Sequence, residues 1–214
     1  MADPVRLAEL VCARLSHDLG GLLGSLTGVL DLAREAAGGS EEELALAVET
    51  AQEIAGRLRL LRAAWGGGSG AVAIAELQDF RRGITGHRRV RLDLSGLAEH
   101  AVLPPQMACL ALNVMLLAAE SLPRGGTLSL SGDQPDQRIL AQLAGVDAAW
   151  PAGFAAMLAD PQAAWAALSG PRTLQAPLTA LMAGRCGIRL SFLMAASPSA
   201  PGAPPPLLLA AAPN

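Results

Sequence analysis

Between residues 5 and 37, apolar side chains recur at three- and four-residue steps: Val11, Leu15, Leu19, Leu22, Leu26, Val29 and Ala33. That period belongs to a helix with one apolar stripe. Asp3-Pro4 supplies a start, an N-cap residue followed by proline at the first helical position, and Gly38-Gly39 supplies a stop. Ser40 then opens a second helix, with Glu43 completing a capping-box pattern, and this helix runs to about Trp65. Its apolar face is Leu44, Ala47, Val48, Ala51, Ile54, Ala55, Leu58 and Leu61. Two such helices joined by a short loop make an antiparallel hairpin. A hairpin does not bury a long stripe by itself; it needs a third and a fourth helix. A second copy of the chain provides them as a symmetric four-helix bundle, which the patterning favours. The rival is packing of the hairpin on the rest of its own chain.

"GGGSG" at 66–70 marks a flexible connection and divides the chain into 1–66 and 71–214. Beyond it the texture changes. "RRVRLDL" (88–94) alternates like a strand, and "PPQMACLALNVMLLAAESL" (104–122) reads as a buried helix. "GGTLSLSG" (125–132) and "QRILAQLA" (137–144) form a strand hairpin, residues 151–168 and 173–184 two helices, and "GIRLSFLM" (187–194) a strand. "PLLLAAA" (206–212) reads as an edge strand. Strands and helices mix without strict alternation, so the second part is an α/β sandwich and the whole chain α+β.

Composition narrows the function class. The net charge is -3, without the basic excess of a nucleic-acid binder, and there is no tyrosine for base stacking. All sixteen basic residues are arginine. Cys12, Cys109 and Cys186 are scattered and unpaired in spacing, which argues for reduced thiols in a cytoplasmic protein and against a zinc site. No basic stretch followed by an apolar run opens the chain, and no long run is free of polar residues, so neither a signal peptide nor a membrane span is expected.

The first helix holds a conflict. Gly20, Gly21, Gly24 and Gly28 each weaken a helix interior by roughly 0.5–1 kcal/mol relative to alanine. At 100° per residue the leucines gather on one side and His17 falls nearly opposite. The four glycines follow His17 by three, four, seven and eleven positions, which places them on its face. The imidazole thus stands above a strip without side chains, open to a macromolecule. An exposed imidazole is mostly neutral at pH 7 and nucleophilic. Arg14, one turn earlier, suits a phosphate or an acidic partner. Asp18, about 100° round the helix, can orient the ring or act as a base. His87 and His100 stand in loop-like contexts and read as surface residues.

These residues carry a resemblance. "ARLSHDLGGLLGSLTGVLDL" resembles the H-box of the dimerisation and histidine-phosphotransfer domain of two-component sensor kinases, and more closely that of the ChpT-type histidine phosphotransferases. Those share the plan of this whole chain, a dimerising hairpin followed by a degenerate copy of the kinase ATP-binding (Bergerat) domain. The resemblance puts the phosphorylatable histidine at His17 and its acidic neighbour at Asp18. Gly20-Gly21-Leu22 stand where kinase H-boxes usually continue with Arg-Thr-Pro.

The second part departs from a working kinase. "NVMLLA" keeps Asn113 of the magnesium-binding helix, but Leu117 replaces the second asparagine. "LAGVDAAWPAG" keeps Asp147 without the glycines of the adenine turn, and "GPRTLQAPLTALMAG" has no phosphate-cradling GxG. The resemblance therefore implies a dimeric phosphotransferase that uses no ATP and binds no cofactor of its own. Its partners would be receiver domains of a hybrid kinase and of response regulators, and the magnesium ion would come with the receiver. An active kinase with a divergent nucleotide site and a non-catalytic receiver-binding adaptor are the alternatives.

Overall fold

The computed structural model describes residues 3–35, 40–66, 70–84, 86, 88–133, 138–193 and 203–212. The hairpin consists of α1 (Pro4–Glu35) and α2 (Glu41–Trp65). Its caps follow the sequence signals. Asp3 Oδ1 accepts the Arg6 backbone N–H at 3.0 Å. Ser40 Oγ accepts from the Glu43 backbone, and the Glu43 carboxylate accepts the Ser40 N–H at 2.8 Å. The Gly38-Gly39 stop, most of the Gly-Ser connection and His87 lie outside the described residues, and His100 is exposed.

After the hairpin come β1 (Val72–Ala73), α3 (Ile74–Phe80), a 3-10 turn (Arg81–Gly83), β2 (Val90–Gly96) and β3 (Val102–Leu103). Then follow α4 (Pro105–Ser121), β4 (Gly126–Asp133), β5 (Arg138–Ala144), α5 (Phe154–Ala159) and α6 (Pro161–Ala166). A second 3-10 turn (Pro171–Thr173) leads into α7 (Gln175–Cys186), β6 (Ile188–Phe192) and β7 (Leu207–Ala211). The main sheet has the order β2-β4-β5-β7-β6. β2 and β4 run parallel, joined through α4 as a parallel pair requires; the other pairs are antiparallel.

One sheet face carries Leu128, Leu130, Ile139, Ala141, Leu143, Leu207 and Leu209, all buried. The alternate residues Thr127, Ser129, Ser131 and Gln142 are half-buried on the other face. α4 is buried from Met107 to Ala118 and apolar there except for Asn113, with α2 and α7 packed against it.

Three features differ from the sequence expectation. β7 is not an edge strand: it pairs with β5 on one side and β6 on the other. The helix expected over 151–168 is two short ones, because Pro161 lacks an N–H and Asp160 turns to cap the second through the Gln162 N–H at 2.8 Å. The segment that follows the Gly-Ser connection folds into β1, α3 and a 3-10 turn, elements too short to leave a period in the sequence.

The hydrophobic core is continuous across the Gly-Ser connection. Leu10, Leu60, Leu61 and Ala64 at the base of the hairpin belong to the same cluster as α4 and the sheet. The base thus packs on its own chain. Further out, Leu23, Leu30, Leu44, Val48 and Leu58 stay exposed. Among the described residues, no helix is long and apolar enough to cross a membrane.

Candidate functional site

The helical wheel assigns α1 one buried face, but the helix uses two. Beyond its base the leucine stripe lies half-buried along α2. At the base, Leu10 and Arg14 turn toward the sandwich, on the side of the helix that carries His17 higher up. His17 sits two turns above Leu10, just where α1 parts from the sandwich. Its side chain is 58% exposed.

His17 Nδ1 lies 3.3 Å from Asp18 Oδ1. Two arginines hold that carboxylate. Arg14 Nε donates to both of its oxygens, at 3.0 and 2.9 Å, and Arg57 Nη2 donates to Oδ2. Burial pushes the Asp18 carboxyl up, but the charge of Arg57 and the hydrogen bonds and charge of Arg14 outweigh it and hold it below the ordinary value. A carboxylate only accepts, so its bond to His17 requires the Nδ1–H tautomer. That leaves the Nε2 lone pair for chemistry. It also makes Asp18 a weak base and a firm orienting group, which selects between the two roles the sequence leaves open.

The Arg14 side chain is turned inward, 13% exposed. Its Nη1 donates to Pro171 O at 3.0 Å and its Nη2 to Glu120 Oε1 at 2.8 Å. With Nε on Asp18, the guanidinium is bonded at all three of its nitrogens within this chain. Arg57 is almost wholly buried, and its Nη1 donates to Gly83 O at 3.0 Å. Gly83 must be glycine here, since a Cβ would collide with the Gly56 carbonyl and Leu60. The close approach seats the first 3-10 turn on α2 and brings its carbonyl to Arg57.

Beside His17 lies a cleft of about 270 Å³, bounded by Asp18, Gly21, Leu22, Arg57 and Arg82. The other three glycines continue the open face along α1. A Cβ at Gly20, Gly21, Gly24 or Gly28 would meet no atom within 4 Å. The glycines therefore serve no packing within the chain. Gly20→Ala with Gly24→Ala should raise stability by about 1–2 kcal/mol through helix propensity alone, seen as a higher melting temperature. Gly20→Gln with Gly24→Gln should stay folded and, where the strip seats a partner protein, slow phosphoryl transfer roughly tenfold, about 1.4 kcal/mol. Unchanged transfer would leave the glycines unexplained.

Asn113 is fully buried and fully bonded. Its Nδ2 donates to Ala64 O at 3.0 Å and Cys109 O at 2.9 Å, and its Oδ1 accepts from Trp65 Nε1 at 3.1 Å and Gln175 Nε2 at 3.2 Å. It ties α2, α4 and α7 together. Leu117, one turn on, is buried. Asp147 occupies a left-handed turn at φ 58° and pairs with Arg124 Nε at 2.9 Å, both exposed.

Arg57, Glu120 and Arg82 are the site residues that the sequence did not suggest. Arg57 follows Thr50 by seven positions on one face of α2, and both are buried, so the inward face carried polar groups at helical spacing.

Comparisons with known proteins agree with this layout. The family model for the histidine phosphotransferase C-terminal domain matches residues 74–197. Protein phosphotransferase ChpT of Brucella abortus (strain 2308) is 28% identical over 142 residues, covering 65% of this chain and 68% of that protein. A solved structure described as a bacterial phosphotransferase superposes with a TM-score of 0.70 at 22% identity, covering 98% of this chain and 97% of its own, and so shares the fold. An exposed histidine backed by a clamped carboxylate, on a hairpin joined to a sandwich that this model matches, makes the chain a ChpT-type member of the histidine phosphotransferase family.

Proposed function

We propose that this phosphotransferase is a relay intermediate that carries a phosphoryl group on His17 between receiver-domain aspartates and uses no ATP itself. The observation that carries the reading is the half-exposed imidazole, bonded through Nδ1 to a carboxylate that two arginines fix. The Nε2 lone pair attacks the phosphorus of a receiver's aspartyl phosphate. The N–P bond forms as the P–O bond breaks, and the receiver's carboxylate leaves with the electron pair. The ring becomes an imidazolium, and Asp18 stabilises the new positive charge. Return of the phosphoryl group to another receiver's aspartate reverses these events. Positioning and charge neutralisation supply the catalysis, and the receiver brings its magnesium ion.

Residues 1–66 would act as the phosphotransfer hairpin and 71–214 as a degenerate kinase-type sandwich. Asn113 supports this, because each of its side-chain donors and acceptors is already bonded within the fold. Arg82 borders the His17 cleft and has no hydrogen-bond or ion-pair partner among the described residues, so its charge is available near the transferred group.

The exposed strip Leu44, Val48 and Leu58 on α2, with Leu23 and Leu30 on α1, favours a second copy completing a four-helix bundle. Leu44→Glu with Val48→Glu should halve the solution mass measured by light scattering, with the helical circular dichroism kept. A mass unchanged from the parent would remove this strip from the dimer interface.

The test of the function incubates the chain with a receiver labelled on its aspartate, and separately with labelled ATP and magnesium. Acid-labile, base-stable label on this chain from the receiver alone is the expected result. Label from ATP would revive the kinase reading, and binding of the receiver without label would leave an adaptor.

A further inference from the structure

The bonds around Asp18 do not stop at the hairpin. Three links run from the sandwich side to the two arginines beside the histidine. Glu120, the penultimate residue of α4, accepts from Arg14 Nη2 at 2.8 Å. Pro171, which opens the second 3-10 turn, accepts from Arg14 Nη1 at 3.0 Å through its carbonyl. Gly83, which closes the first 3-10 turn, accepts from Arg57 Nη1 at 3.0 Å. Both arginines then converge on Asp18, and Asp18 holds His17 Nδ1. A long guanidinium on α1 or α2 alone would sample several rotamers. Here each is pinned at its far side by a group from beyond the hairpin.

We propose that the sandwich is a working part of the phosphotransfer site: through Glu120, Pro171 O and Gly83 O it fixes Arg14 and Arg57, and through them the Asp18 carboxylate and the tautomer and orientation of His17. This rests on His17 as the phosphoacceptor. Arg14, Arg57 and Glu120 are positioning residues, since none of them touches the reacting nitrogen. The arrangement reads as a device for placement more than for stability. Arg57 Nε is buried without a hydrogen-bond partner, an unmet donor that a purely structural anchor has no reason to keep. Burial also pushes the Glu120 carboxyl up despite the attraction of Arg14, so at neutral pH its ionisation adds no net stability to the fold.

Glu120 gives the cleanest test, because it lies at the rim of the sandwich and far along the chain of contacts from the ring. Glu120→Ala removes the anchor of Arg14. Glu120→Gln keeps an oxygen that can accept the same N–H. Two readouts are taken on the full-length protein: the rate of label transfer from a phosphorylated receiver, and the imidazole nitrogen shifts of His17 by long-range ¹H–¹⁵N NMR. For Glu120→Ala we expect transfer about tenfold slower, as a small misplacement of a reacting group produces, with His17 moving away from the Nδ1–H tautomer and the melting temperature held. For Glu120→Gln we expect both readouts close to the parent. If Glu120→Ala leaves the imidazole shifts unchanged, or moves them without slowing transfer, the proposal is overturned. Equal losses in the Ala and Gln variants would overturn it as well, since charge and not anchoring would then be responsible. If the parent itself takes no label on His17, the functional reading fails instead, while the NMR arm still reports whether the sandwich sets the ring.

Discussion

His17→Ala should abolish transfer while leaving the fold as it is. The side chain is more than half exposed, and its bond to Asp18 is the one polar contact it makes among the described residues. Its removal should change stability by about 0.5 kcal/mol or less. The same removal takes away the nucleophile, and alanine offers nothing in its place. The rate of phosphoryl uptake from a labelled receiver should fall on the order of 10³-fold or more, at least about 4 kcal/mol in the barrier. A quantitative acid-labile label on the variant would mean that another group accepts the phosphoryl. His100, also exposed, would be the first to examine.

Asp18→Asn has the next largest effect, and it is felt in both the chemistry and the fold. The amide keeps one acceptor but turns its NH₂ toward guanidinium donors, so one of the contacts to Arg14 and Arg57 becomes a clash of donors. Those arginines are mostly buried, with side-chain exposures of 13% and 5%. Taking the counter-charge from a buried pair costs roughly 3–5 kcal/mol, and in a chain of this length that is a fall of about 6–20 °C in melting temperature. The protein should remain folded at 20 °C, where transfer is measured. There the loss of a fixed Nδ1–H tautomer and of charge opposite the imidazolium should slow uptake by on the order of 10²-fold or more.

The acid limb has a definite sign. Asp18 is held below its ordinary value in the fold, so its contribution to stability is present above the ordinary carboxyl range and is lost as the pH falls through the lower folded value. The parent should lose this contribution progressively as the pH falls through and below the ordinary carboxyl range, and the variant should lack that step in a plot of melting temperature against pH. A variant as active as the parent would show that Asp18 neither orients nor stabilises the ring.

Long elements were legible in the sequence because a period needs length. α1 and α2 announced themselves by their stripes and caps, and α4 by its apolar run. β7 was placed at an edge because the run "PPPLLLAAA" says nothing of what lies on either side of it; pairing is decided by the whole sheet. His17 and Asp18 were visible as an acidic neighbour beside an exposed histidine. The contacts of Arg14 were not visible, because Glu120 and Pro171 approach it from more than a hundred positions along the chain. Arg57 was hidden for the same reason: an arginine in "GRLRLLR" reads as solvated until the fold sets the carbonyl of Gly83 against it. The wheel located the histidine correctly opposite the leucines, but a wheel assumes one partner surface for the whole helix, and α1 has two.

The place of β7 in the sheet has a consequence for biosynthesis. β6 is complete at residue 192, but its one neighbour in the sheet is β7, which ends at residue 211. At ribosomal speeds of about 5–20 residues per second, β6 waits roughly 1–4 s for its partner. During that interval the outer flank of β5 is also unpaired, so two open strand edges face water while the hairpin, already emerged, can form. A nascent chain stalled in this window should be the species most prone to joining edges with a neighbour on the same message.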